Sequence, residues 1–179
     1  YFRSDMIMLE WLGVSQDGIG QYAAAFRLIE AVILLTSPLA ILLFRRMRKT
    51  HDNLEILGRD IPRTALLSAF IGLACVFVFY YLAGPMVSIT YGSTYPDAST
   101  VLIVFSVALV FVLPNAVFTQ AALALELDRS YAWAASAAAI VNMVVNFIFI
   151  ERYGLLAAAW STIAAEAILM VILIFTLSV

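Results

Sequence analysis

Long apolar runs alternate with short polar intervals along this chain, and the run lengths predict the elements. A helix that crosses a bilayer needs about 20 mostly apolar residues. Such runs lie at about 21–44, 65–83, 98–125, 131–150 and 155–177. The opening stretch, YFRSDMIMLEWLG (1–13), reads as the last turns of a membrane helix whose start is missing, so the chain is expected to be part of a longer protein. Between the runs lie VSQDGIG, RRMRKTHDNLEILGRDIPRT, GPMVSITYGSTYPD, ELDRS and ERYG. Glycine, proline and short polar residues are the turn signals there. A transmembrane β-barrel is the wrong pattern, because its strands alternate apolar and polar over about ten residues. The expectation is an all-α membrane lobe over 1–179, with five full spans, one truncated span and no soluble domain.

Composition agrees. Of 179 residues, 64% are hydrophobic and 12% charged, against about 45–50% and about 25% in a soluble domain. Cys75 in IGLACVFVF reads as a small packing residue. His51 lies in a polar interval with no second metal ligand nearby. The basic interval MRKTHDNLEILGRDI fits either a solvated loop or an amphipathic helix lying along the headgroups.

Charge placement predicts the orientation. Short cytoplasmic loops are enriched in Lys and Arg. The second interval holds Arg45, Arg46, Arg48, Lys49, Arg59 and Arg63, and the fourth holds Arg129, whereas the first, third and fifth hold only Arg152. This places the second and fourth intervals and the C-terminus in the cytoplasm, in a multi-pass protein of the cytoplasmic (inner) membrane.

Charges inside the spans are the candidates for function, since each costs about 2.5–3.5 kcal/mol to insert at a helix centre. At a rise of 1.5 Å per residue, Arg27 lies roughly 10 Å and Glu30 roughly 15 Å from Gly20. Asp5 and Arg3 lie roughly 12 and 15 Å from Gly13. The first two helices share a short turn and must be antiparallel neighbours, so these four charges are expected to form a patch on an internal surface. The bland alternative is a self-contained ion-pair network that holds two helices together. Glu10, about 5 Å from the turn, reads as interfacial. Asn142 and Asn146 share one helix face. Asn115 follows Pro114, which should kink the fourth span, and Gln120 lies one to two turns further on. Glu166, roughly 18 Å from Gly154, is the most expensive of this second group. The asparagines and Gln120 read as polar cavity lining or interhelical glue. The alanine stripes AWAASAAA and LLAAAWSTIAAEA suit close helix packing.

The sequence contains no phosphate-binding loop, dinucleotide turn, Cys/His metal pair or GxSxG elbow. No nucleophile is paired with a base, so no catalysis, cofactor or metal is expected.

Three stretches carry a resemblance: SDMIMLEWLGVSQDGIGQYAAAFRLIEAV, SITYGSTYPDASTVLIVF and AAAIVNMVVNFIFIERYGLLAAAWSTIAAEA. Together they resemble the C-terminal half of a polysaccharide or oligosaccharide-lipid flippase of the MOP (multidrug/oligosaccharidyl-lipid/polysaccharide) exporter superfamily. The matching features are Asp5 ahead of Met8-Leu9, a GxYAAAxRxxE turn, a YGxxYxxA stretch and an NxxxNxxxIxxYGxxAAAxxT helix pair. The family usually has a proline and a polar run near the inner end of the second span. Here Pro38 comes earlier and LLFRRM replaces the run. The resemblance implies one lobe of a twelve-helix, V-shaped, alternating-access transporter, partnered by an N-terminal six-helix lobe, membrane lipid and a lipid-linked oligosaccharide substrate, with no nucleic-acid partner. The implied substrate is an undecaprenyl-pyrophosphate sugar unit. Arg27 with Arg3 would attract its pyrophosphate or a charged sugar, and Asp5, Glu30 and Glu166 would tune that charge or couple to an ion. A multidrug or lipid II exporter of the same superfamily, and a non-transporting membrane scaffold, are the alternatives.

Overall fold

The computed structural model describes residues 2–50 and 52–178, with side chains from Ser4 onward. Among them all regular structure is helical: α1 (Phe2–Trp11), α2 (Gln16–Lys49), α3 (Leu54–Tyr91), α4 (Ala98–Ala124), α5 (Asp128–Tyr153) and α6 (Leu155–Leu177). Helices α2 to α6 are each long and apolar enough to cross a bilayer. Leu35, Ile89, Tyr81, Trp133 and Phe175 stand outward. An apolar surface of that extent suits lipid rather than water, and the chain is a multi-pass membrane protein.

The basic interval departs from both readings of it, a loop or a surface helix. RRMRK continues α2 to Lys49, because Arg, Met and Lys are good helix formers and cations suit a helix C-terminus. The Thr50 hydroxyl closes the end on the Arg46 and Met47 carbonyls. Asn53 then caps α3, its Oδ1 accepting from the Ile56 N–H at 3.2 Å. At the other end α3 runs on through Gly84 and Pro85 to Tyr91. A proline inside a helix removes one backbone bond; neighbouring turns carry the helix past it, and it stops only at Gly92, where φ is +65°.

Apolar on all sides, α4 is the central element, packed by α2, α3 and α6, while α5 packs mainly on α6. Two polar ties set the register at opposite ends. The Gln21 Oε1 accepts from the Asp97 and Ala98 N–H groups at 3.0 Å each, capping α4 from α2. At the basic end, Arg48 donates to the Ala124 carbonyl at 2.9 Å and to Glu126 Oε1 at 2.6 Å. That clamp holds the α4–α5 turn, in which Glu126 takes a left-handed φ of +61°. It also puts the second and fourth intervals at one end, as alternating spans require.

Helices α3 and α4 approach closely at Gly72. A Cβ there would meet the Leu109 carbonyl oxygen at 2.6 Å, and backbone cannot swing aside as a side chain can. Gly72→Ala should therefore cost about 1–3 kcal/mol through overpacking. Thermal melting in detergent measures it. Gly58→Ala in the same helix is the control: a Cβ there meets nothing within 4 Å, so stability should hold or rise.

Candidate functional site

Two helical hairpins build the site. A four-residue link joins α1 to α2, closed by the Val14 N–H bonding to the Leu9 carbonyl at 3.0 Å. Gly154 joins α5 to α6 at φ +56°, a conformation that a side chain would strain. Asp5 on α1 sits where the hairpins meet and is 0% exposed.

Three helices supply its partners. From α2, the Tyr22 hydroxyl donates to Asp5 Oδ2 at 2.7 Å. From α5, Asn146 Nδ2 donates to Oδ1 at 2.7 Å. From α6, the Thr162 hydroxyl lies 3.0 Å from Oδ2. The same hydroxyl lies 3.2 Å from the Ala158 carbonyl. A hydroxyl has one proton to give, so Thr162 can donate to an ionised Asp5, or donate to Ala158 and accept from a protonated Asp5. A second tier follows: Asn146 Nδ2 also donates to Asn142 Oδ1 at 3.3 Å, and Asn142 Nδ2 donates to Ser161 Oγ at 3.1 Å. The amide oxygen of Asn146 is buried and faces no donor. Among the described residues no cation lies within 4.0 Å of Asp5.

Arg27 and Glu30 sit elsewhere. They line an open pocket of about 440 Å³ with Met6, Ile7, Ala23 and Phe26. Arg27 is exposed and Glu30 half-buried, and among the described residues neither enters an ion pair. Asp5 therefore does not join Arg27 and Glu30 in one patch, contrary to expectation. Asp5 and Arg27 match in depth but not in direction, because Tyr22 and Arg27 are five residues apart, about 140° round the helix. Asp5 turns towards α5 and α6, away from the Arg27 pocket. The side chain of Arg3 lies outside the described residues, as does His51.

A second buried carboxylate joins α4 to α6. The Asn115 amide donates to Glu166 Oε2 at 2.7 Å and to the Glu166 carbonyl at 2.9 Å. Glu166 is 5% exposed. The Asn115 Oδ1 is buried without a donor; two acceptors on Glu166 fix the amide's orientation. Gln120 is half-buried on α4 and joins neither cluster among the described hydrogen bonds. Glu10 is exposed beside the first turn, 3.5 Å from Gln16 Nε2. Half-buried Cys75 packs on the apolar core.

Sequence reasoning missed Tyr22, Ser161, Thr162 and Gln21. Tyr22 looks like one more apolar residue in GQYAAAF, and the hydroxyls of ST in WSTIAAE look like packing. The available signal was Asp5 itself: a carboxylate deep in a span needs donors, and the neighbouring hairpins offer few other polar side chains. No protein-family model, curated protein or solved structure matches this chain.

Proposed function

We propose that the protein is one lobe of an alternating-access transporter that moves a lipid-linked oligosaccharide, with Asp5 as its ion-coupling group and the Arg27–Glu30 pocket as its contact with the anionic head of the substrate. The observation that carries this reading is the separation of two polar features on adjacent helices. One is a sealed carboxylate with only neutral partners among the described residues. The other is an open pocket lined by Arg27 and Glu30.

A carboxylate removed from water is costly unless donors, a proton or a cation meet its charge. Asp5 has donors on both oxygens, the Asn146 oxygen nearby lacks a donor, and Thr162 can serve either charge state. Binding and release of a proton or a monovalent cation would then be read out by four helices at once, since Asp5 ties α1 to α2, α5 and α6. Tightening or loosening that junction is a two-state element of the kind that alternating access needs. Arg27, unpaired among the described residues and facing a pocket, suits a pyrophosphate through its bidentate fork. A purely structural arginine would be expected to hold a carboxylate. The cytoplasmic placement of the basic end and of the C-terminus follows from the positive-inside rule.

Arg27→Ala in the full-length protein should keep normal membrane abundance while export of the lipid-linked sugar falls at least tenfold. Arg27→Lys should retain part of the activity, since the charge stays and the fork is lost. Full export by Arg27→Leu combined with Glu30→Leu would remove the substrate-binding role.

A further inference from the structure

Helices α2 and α3 meet only sparsely and both lean on α4. A groove of about 410 Å³ runs between them. Its α2 wall includes Thr36, Ala40, Leu43 and Arg46, spaced three to four residues apart and spanning roughly 15 Å, with Leu39 and Leu42 beside them. Its α3 wall includes Thr64 and Ser68.

The polar side chains of this lining do not make it polar. The Thr36 hydroxyl donates to the Ile33 carbonyl at 2.7 Å, Thr64 to the Asp60 carbonyl at 2.8 Å and Ser68 to the Thr64 carbonyl at 2.9 Å. Each hydroxyl bonds back onto its own helix, so the groove offers no unused donor of its own along its length. The exception is its mouth at the basic end. There Arg46 Nη2 bonds Asp60 Oδ2 at 2.6 Å, and Arg59 Nε lies 3.9 Å from the other oxygen of the same carboxylate. Two guanidinium groups face one carboxylate, and exposed Arg45 and Arg63 lie close in sequence to them. The mouth is net positive and the groove behind it is apolar.

We propose that this groove is a binding site for an anionic glycerophospholipid of the leaflet at the basic end, with one acyl chain between α2 and α3 and the phosphate at Arg46. An apolar groove roughly 15 Å long ending in surplus positive charge complements that amphiphile. A zwitterionic lipid carries no net charge to match the mouth, and a free phosphate has nothing to fill the slot. The proposal is independent of transport, because neither Asp5 nor Arg27 takes part in it.

Native mass spectrometry of the detergent-purified protein tests it, with phosphatidylglycerol and phosphatidylcholine of identical chains titrated in turn. One basic residue near an anionic headgroup contributes about fivefold in affinity. Phosphatidylglycerol should therefore bind at least about fivefold more tightly than phosphatidylcholine, and Arg46→Gln should erase that preference. Arg46 is exposed, so the variant should fold. Ala40→Phe, which fills the slot and leaves the mouth charges in place, should lower binding of both lipids, with thermal melting as the folding control. Equal retention of the two lipids by the unaltered protein, or an undiminished preference in Arg46→Gln, overturns the proposal. So does displacement of phosphatidylglycerol by undecaprenyl phosphate at equal concentration, which would make the slot a substrate site.

Discussion

Asp5→Leu is expected to cost roughly 2–5 kcal/mol, because it leaves the Tyr22 hydroxyl and one N–H of the Asn146 amide without their acceptor, while Asn146 Nδ2 keeps Asn142 Oδ1, and each stranded group costs about 1–3 kcal/mol. Thr162 can fall back on the Ala158 carbonyl. Water cannot compensate at a residue that is 0% exposed. Asp5→Asn separates structure from coupling. Its amide oxygen can still accept from Tyr22. Its new N–H₂ can meet the Asn146 oxygen, which lacks a donor at present, once the Asn146 amide turns over. The Asp5→Asn protein should therefore melt within about 1–2 kcal/mol of the original, yet an amide neither takes up a proton at neutral pH nor brings the charge that holds a cation. Export driven by an imposed ion gradient in proteoliposomes should fall to background in this variant. If Asp5→Asn exports normally with an intact response to the gradient, Asp5 is a structural tie and the coupling role is lost.

The second large effect concerns α4 and α6. Asn115→Leu should destabilise the protein by about 1–3 kcal/mol, because it removes a buried donor that Glu166 Oε2 accepts at 2.7 Å. Replacing both members of a buried polar pair by apolar groups of similar shape is often nearly neutral. The Asn115→Leu, Glu166→Leu double variant should accordingly recover at least half of the loss. Denaturation of the four proteins in detergent gives the coupling energy directly. A double variant no more stable than Asn115→Leu alone would show that Glu166 is held chiefly by other contacts. This cluster differs from the Asp5 junction in one respect that bears on function. It joins two helices of the central pack, whereas Asp5 joins four helices across two hairpins.

Several features could be read from order along the chain. An apolar run of about 20 residues can satisfy its backbone in lipid only as a helix or a closed barrel, and the runs here do not alternate as barrel strands do. Helical class and membrane character were therefore legible without any knowledge of neighbours. Turn positions were legible too, where glycine or short polar residues interrupt a run: Gly13, Gly92 and Gly154 all sit at positive φ. Helix length was less legible. Arg45 to Lys49 look like loop by polarity, yet good helix formers and the Thr50 cap carry α2 through them, and Pro85 to Tyr91 look like loop by proline and propensity, yet α3 continues through them to its cap at Gly92.

Which polar residues meet could not be read in the same way. Depth along a helix is one-dimensional and follows from residue number, so Asp5, Arg27 and Glu30 looked like one patch. Direction around a helix needs the rotational phase of each helix against its neighbours, and that phase is set by packing: Gly72 against Leu109, Gln21 on the start of α4, Arg48 on its end. Only the assembled bundle turned Asp5 to Tyr22, Asn146 and Thr162 and left Arg27 facing a pocket. The sequence by itself determined that this chain is a set of membrane-spanning helices with charges buried at known depths, because burial in lipid acts on each segment independently. The tertiary structure alone decided which of those charges are sealed and which are open, because a hydrogen bond depends on side chains from different helices converging within about 3 Å.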